Sequence, residues 1–231
     1  HEAGHALVAA RVPGNDPGHK VTIIPRGMAL GLTWTLPEAD QHTYTEEQVI
    51  GKITMAMGGR VAEEIVFDRI TTGAGNDIEQ ATKLARKMVC EWGMSKLGPV
   101  FLSRNDGNVF LGREMARANE FAEMTQSEAD SEIRRILTEC YDLAYKTVEE
   151  GREQLDLIAA ALLEYETIDT EDMNFLIDGH TMDEFRARRA AVEAATAAAA
   201  EDGETQLDGG RDEKNKDFLP DMSKPSLDGA S

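Results

Sequence analysis

The chain has 231 residues, 41% of them hydrophobic, and a formal net charge of −19. That length can bury a core as one large domain, with or without a tail, and a surface so acidic repels a phosphate backbone, which argues against direct nucleic-acid binding. No apolar run approaches the roughly 20 residues that cross a bilayer, no secretory leader is visible, and Cys90 and Cys140 lack both zinc-ribbon spacing and the density of a disulfide framework. Both cysteines fall on apolar helical faces and read as buried free thiols in a reducing compartment.

His1 to Val12 reads as a helix, rich in alanine and stopped by Pro13-Gly14. His19 to Gly27 is short, β-branched and closed by Pro25 and Gly27, so a strand is predicted there. Ala29 to Pro37 gives a second strand, in which Gly31, Thr33 and Thr35 alternate with Leu32, Trp34 and Leu36. The pattern then turns helical. Thr45 and Gln48 form a capping-box pair ahead of Ile50, Ile53, Met57, Val61 and Ile65. Gly58-Gly59 lies inside that period. Glycine costs about 1 kcal/mol in a helix interior, so a close backbone approach is predicted there. After the loop DRITTGAGN, a helix is predicted from Asp77 to Trp92. Gly93 to Arg113 is glycine-rich and irregular. Further helices are predicted from Gln126 to about Glu150, from Glu153 to Glu166, and from Glu171 to Ile177 before Gly179. Arg186 to Ala200 is alanine-rich and predicted helical. From Glu201 the chain is mostly small, polar and charged, which predicts a disordered acidic tail. The fold class is therefore mainly α, with a small β element near the N-terminus.

The first five residues carry the chemistry. On a helix His1 and His5 stand one above the other and can share one ion. Glu2 lies one step round, placed to reach a water on that ion without ligating it. This is the logic of the H-E-x-x-H zinc site, in which the metal acidifies water and the glutamate takes its proton. Imidazole and carboxylate donors make zinc the expected metal. Ala3 and Gly4 permit close packing, and the run from Ala6 to Ala10 predicts a buried helix. A catalytic zinc takes a third protein ligand. Glu63, Glu64 and Asp77 are the candidates, and spacing leaves the choice open. Asp77, with Gln80 three residues on, also fits a helix N-cap. His19 and His42 read as ordinary polar positions.

The segments HEAGHALVA, DPGHKVTIIPRGMALGLTWTLP, GGRVAEEIVF, TTGAGNDIEQATKLARKMVCEWGMS, LGP, FLGR and ALLEYETID, in that order, resemble the peptidase domain of the FtsH family of membrane-anchored, ATP-dependent AAA+ zinc metalloproteases. The resemblance runs from His1 to about Gly179. It implies a helical zinc-metalloprotease domain over 1–180; composition gives the alanine-rich helical extension 181–200 and the disordered acidic tail 201–231 that follow it. By position it implies zinc ligands at His1, His5 and Asp77 and the catalytic glutamate at Glu2. Glu63 is then expected to orient a ligating histidine. The strand at Gly31, Leu32, Thr33, Trp34 and Thr35 is expected to hold unfolded polypeptide substrate by main-chain hydrogen bonds.

The family also implies a homo-hexamer, and a transmembrane segment and ATPase domain preceding the peptidase domain. This chain has no G-x-x-x-x-G-K-[ST] phosphate loop, so ATP is expected to act only through that other domain. Opening on His1 without an initiator methionine, the chain is expected to be a piece of a longer protein cut at its catalytic motif. In isolation it is expected to bind zinc weakly, for want of the helical turn before His1. The longer protein is expected at the bacterial inner membrane, with this domain on the cytoplasmic side. Two other readings are a catalytically silent scaffold of the same fold and a single-chain zinc peptidase with a glutamate third ligand. The intact H-E-x-x-H and Asp77 argue against the scaffold.

Overall fold

In the computed structural model the residues described are 1–16, 18–25, 32–36, 43–102 and 115–207. Their order is α1 (Glu2–Arg11), β1 (Gly18–Thr22), β2 (Leu32–Leu36), α2 (Glu46–Phe67), α3 (Gly75–Cys90), α4 (Met115–Glu150), α5 (Arg152–Tyr165), β3 (Thr167–Ile168), α6 (Thr170–Ile177) and α7 (Met182–Leu207). The protein is mainly α, as its composition and periodicity predict. Two units are distinguished, His1–Phe185 and Arg186–Ser231. The first holds the core described below. In the second, α7 continues to Leu207, across the boundary drawn at residue 200.

Helix α1 is central. Ala3, Gly4, His5, Ala6, Leu7, Val8 and Ala9 are all buried, so this helix has no solvent face along most of its length. Leu7 and Val8 share a core with Ile53 and Val61 of α2, Ala85 and Met88 of α3, Ile136 of α4, Ile158 of α5 and Met173 of α6. A helix of alanine and glycine brings its backbone unusually near its neighbours. A Cβ added at Gly58 would sit 2.6 Å from the Gly4 carbonyl oxygen, and Gly51 meets the backbone at Pro13 and Gly14 in the same way. The close approach predicted at Gly58-Gly59 is thus the crossing of α1 over α2. Thr45 opens α2 with the predicted capping box, its hydroxyl accepting from Gln48 N–H while Gln48 accepts from Thr45 N–H.

The sheet is three-stranded, in the order β2-β1-β3. β1 and β2 pair antiparallel with Lys20 opposite Trp34, and β3 adds antiparallel with Val21 opposite Ile168. The first strand ends at Thr22 rather than running to Gly27, because the chain leaves the ladder there. Thr22 Oγ1 accepts from Ile24 N–H at 3.2 Å and donates to the Glu166 carbonyl at 3.1 Å. β3 is two residues long, too short for an alternation to show in the sequence. The second strand is seen over Leu32–Leu36; the rest of the predicted Ala29 to Pro37, Gly31 included, lies outside the described residues.

Several helix bounds also move. α3 starts two residues before Asp77, at Gly75, although Gly and Asn are weak helix formers. It ends at Cys90, where Gly93 takes φ +62. α4 begins at Met115, eleven residues before Gln126, through a stretch with no glycine or proline to stop it. α7 opens at Met182 with a capping box between Thr181 and Glu184, ahead of the predicted Arg186. Cys90 is half-buried and Cys140 buried, both free, and burial raises both thiols.

The segment after α3 is tied to α4 by Glu132, which is 7% exposed. Its carboxylate accepts from Lys96 N–H at 3.0 Å and from Arg135 Nε at 2.8 Å. The Arg135 guanidinium, helped by the Lys96 N–H, holds the Glu132 carboxyl down at about 2. A carboxyl lowered on folding stabilises above its unfolded value, roughly 4.3, and loses that contribution as pH falls through its folded value. Glu132→Gln should therefore lower Tm at pH 6 to 7, and the gap to the parent should narrow by pH 3. A gap independent of pH in thermal melts would contradict this.

Candidate metal centre

The two histidines occupy the first turn of α1. His1 is the N-cap, and its carbonyl accepts from Gly4 N–H at 3.0 Å and His5 N–H at 3.3 Å. Four residues apart, the rings meet edge to face with centroids 4.7 Å apart. Their Nε2 atoms are 3.1 Å apart.

The outer nitrogens decide what those inner ones are. His5 Nδ1 lies 2.8 Å from the Met55 carbonyl of α2. A carbonyl only accepts, so the proton is on Nδ1 and the Nε2 lone pair faces inward. Gly59 N–H also lies 3.3 Å from this nitrogen. That contact is longer than the 2.8 Å to the Met55 carbonyl, so the carbonyl sets the tautomer. His1 Nδ1 is 2.8 Å from Glu63 Oε1, also on α2. An ionised carboxylate likewise only accepts, so His1 Nε2 faces inward with its lone pair free.

The third donor comes from α3. Asp77 Oδ2 lies 3.3 Å from His1 Nε2 and 3.6 Å from His5 Nε2. Ala74 is the N-cap of this helix and makes no side-chain cap bond. Asp77 is therefore the third helical residue, where the helix N-terminus favours an ionised carboxylate. His1, His5 and Asp77 each offer one atom within 4.8 Å of the others, and no second such group occurs among the described residues.

Two lone pairs and a carboxylate oxygen turned on one point repel each other unless a cation lies between them. Tetrahedral zinc, with bonds of about 2.0–2.1 Å to nitrogen and oxygen, sets its donors roughly 3.3 Å apart. The observed separations of 3.1, 3.3 and 3.6 Å bracket that spacing. The donor set thus fits the ion in number, type and distance. The same crowding shows in the proton affinities. The Asp77 carboxylate beside His1 raises that imidazole against the opposing effect of burial. Burial acts to raise Asp77, but hydrogen bonds from His1 and His5, which exist only when a proton takes the metal's place on Nε2, outweigh it and hold the carboxyl far below its usual range. Protons and metal compete for this point, so acid opposes metal binding.

The family profile described as Peptidase family M41 matches residues 1–176. The chain belongs to peptidase family M41. Its relatives in that family include the "ATP-dependent zinc metalloprotease FtsH" of Myxococcus xanthus, 51% identical over 180 residues, which are 78% of this chain and 28% of that protein. The protein of the same name from Acidobacterium capsulatum is 51% identical over 179 residues, 78% of this chain and 28% of its own length. That of Thermotoga maritima is 45% identical over 179 residues, 77% of this chain and 29% of its own. The chain spans less than a third of the length of these M41 relatives.

The other residues singled out in the sequence fall as follows. Glu2 is half-buried in the first turn of α1, and its charge reaches His1. Glu63 stands behind His1, away from the three converging atoms. Glu64, the next residue, accepts a hydrogen bond from Tyr141 Oη of α4. Leu32 to Thr35 lie in β2, His19 lies in β1, and His42 is outside the described residues. Three participants carried no readable signal, namely the Met55 carbonyl, Thr71 and the role of Gly59. Thr71 Oγ1 donates to Glu63 Oε2 at 2.8 Å. Gly59 lies directly under both rings. A Cβ there would come within 2.6 Å of His1 Cε1 and His5 Nε2. Gly59→Ala should therefore weaken zinc binding at least tenfold, measured by competition with a chromogenic chelator. Helix content by circular dichroism should be unchanged, since alanine favours the helix by about 1 kcal/mol.

Proposed function

We propose that the chain is the zinc endopeptidase domain of an ATP-dependent protease. The observation that carries this reading is the convergence of His1 Nε2, His5 Nε2 and Asp77 Oδ2 at separations of 3.1 to 3.6 Å. Family membership supports it independently. His1, His5 and Asp77 hold the ion, and Glu63 and the Met55 carbonyl fix the imidazoles in the ligating tautomer. When bound, zinc supplies Lewis acidity, bringing the pKa of a water near 7 and polarising a carbonyl.

The remaining chemistry belongs to the protein. Glu2, one residue from His1 on the same turn, takes the proton of the attacking water on a carboxylate oxygen and returns it to the leaving amine. Among the described residues β2 is one edge of the three-stranded sheet, and an edge strand offers main-chain donors and acceptors to an extended peptide. Such bonds are indifferent to side chains, which suits a protease acting on unfolded polypeptide. No helix among the described residues is long and apolar enough to cross a membrane. Membrane anchoring, ATP-driven unfolding, hexamer assembly and action on unfolded or membrane proteins are proposed for the longer protein, through segments outside this chain.

The test is zinc content and casein cleavage in the full-length protein. Glu2→Gln should retain zinc and lose about 10²- to 10⁴-fold in cleavage rate. Asp77→Ala should lose zinc, and Glu63→Ala should lose less. Wild-type cleavage by Glu2→Gln, or full zinc in Asp77→Ala, would overturn the reading. Proline placed in β2 at N–H groups not used by β1 should raise KM for peptide with zinc still bound, and an unchanged KM would remove the strand from the mechanism.

A further inference from the structure

The carboxylate that orients His1 is itself held from the far side. Glu63 Oε1 accepts from His1 Nδ1 at 2.8 Å, and Oε2 accepts from Thr71 Oγ1 at 2.8 Å. The same hydroxyl accepts from Gly73 N–H at 3.1 Å. Gly75 N–H then donates to the Thr72 carbonyl at 3.1 Å, closing the turn into α3, whose third residue is Asp77. Ala74, between these two turns, is fully buried. Thr71 thus joins the two arms of the site. Through Glu63 it reaches His1, and through Gly73 it fixes the segment that delivers Asp77.

A surface hydroxyl contributes little where water can replace it. Here Thr71 itself is exposed, but the Glu63 side chain it caps is only 13% exposed. A hydrogen bond to a shielded carboxylate is stronger than one in open solvent, and its partner is not readily replaced. Gly73 leaves little slack, since a Cβ there would lie 3.2 Å from Thr71 Oγ1.

We propose that Thr71 is a positioning residue of the metal centre, coupling the Glu63–His1 pair to the turn that carries Asp77. This rests on the zinc reading above. Its role is to preorganise the three donors: without the hydroxyl, Glu63 is free to rotate from His1 and the turn to relax, so the empty site no longer matches the ion.

The test uses the full chain and zinc itself, with affinity read by competition against a chromogenic chelator and folding by circular dichroism and thermal melting. Thr71→Val keeps the shape and removes the hydroxyl. It should bind zinc about tenfold more weakly, with an unchanged spectrum and Tm in the metal-free state. Thr71→Ser, which restores the hydroxyl, should recover at least half of that loss on a logarithmic scale. Combined with Glu63→Ala, Thr71→Val should add less than its own single effect, because it acts through that carboxylate. Wild-type affinity in Thr71→Val, equal weakening in Thr71→Ser, or full additivity with Glu63→Ala would each overturn the proposal. Asp77→Ala serves as reference. If it loses zinc while Thr71→Val does not, only the positioning role falls. If it keeps wild-type affinity, the zinc reading falls and this inference with it.

Discussion

The structure depends on two backbones crossing without side chains between them. Gly4 of α1 and Gly58 of α2 leave no room for a Cβ on either side of the crossing. That contact sets the distance between the helices, and the distance sets everything about the histidines. At this spacing the Met55 carbonyl reaches His5 Nδ1 and Glu63 reaches His1 Nδ1. One turn along α2 from Met55, Gly59 leaves a floor just deep enough for the two rings. A longer interhelical distance would leave the imidazoles free to rotate and to choose either tautomer. The two glycines at 58 and 59 therefore do different jobs: one admits the neighbouring helix and the other admits its side chains.

Electrostatics then sharpens what packing has placed. Each imidazole has its outer nitrogen committed to an acceptor, so its inner lone pair is directed rather than available by chance. Asp77 sits in the opening turn of α3, whose unpaired N–H groups favour a negative charge. Three electron-rich atoms are thus held together by helices that cannot easily spread. With both inner nitrogens unprotonated these lone pairs repel one another, and a cation between them relieves the repulsion. This is preorganisation in its electrostatic form.

Much of this was legible in the sequence, and the boundary of legibility has a physical cause. His1, Glu2 and His5 are joined by helical periodicity alone, so a five-residue pattern displays their geometry. The Gly58-Gly59 pair announced a close approach, because glycine in a helix interior needs a reason. It did not say what approaches, since the partner lies more than fifty residues away. For the same reason spacing left Glu63, Glu64 and Asp77 equivalent. Family resemblance ranked them, and the helix start at Gly75 shows why capping is not the task of Asp77. The Thr181–Glu184 box was readable but lay ahead of the alanine run that drew attention. β3 had no pattern to read, and the Met55 carbonyl has no side chain to betray it.

The burial of α1 has a consequence for how the molecule comes into being. The motif at residues 1–5 is complete as soon as it is synthesised, yet its oxygen donor lies on α3, and the groups that fix its imidazoles lie on α2. A nascent or partly folded copy carries the signature of a hydrolase without the means to act as one. The three donors meet only once α1, α2 and α3 have packed together, so the metal centre is a product of the finished tertiary structure and not of its local motif.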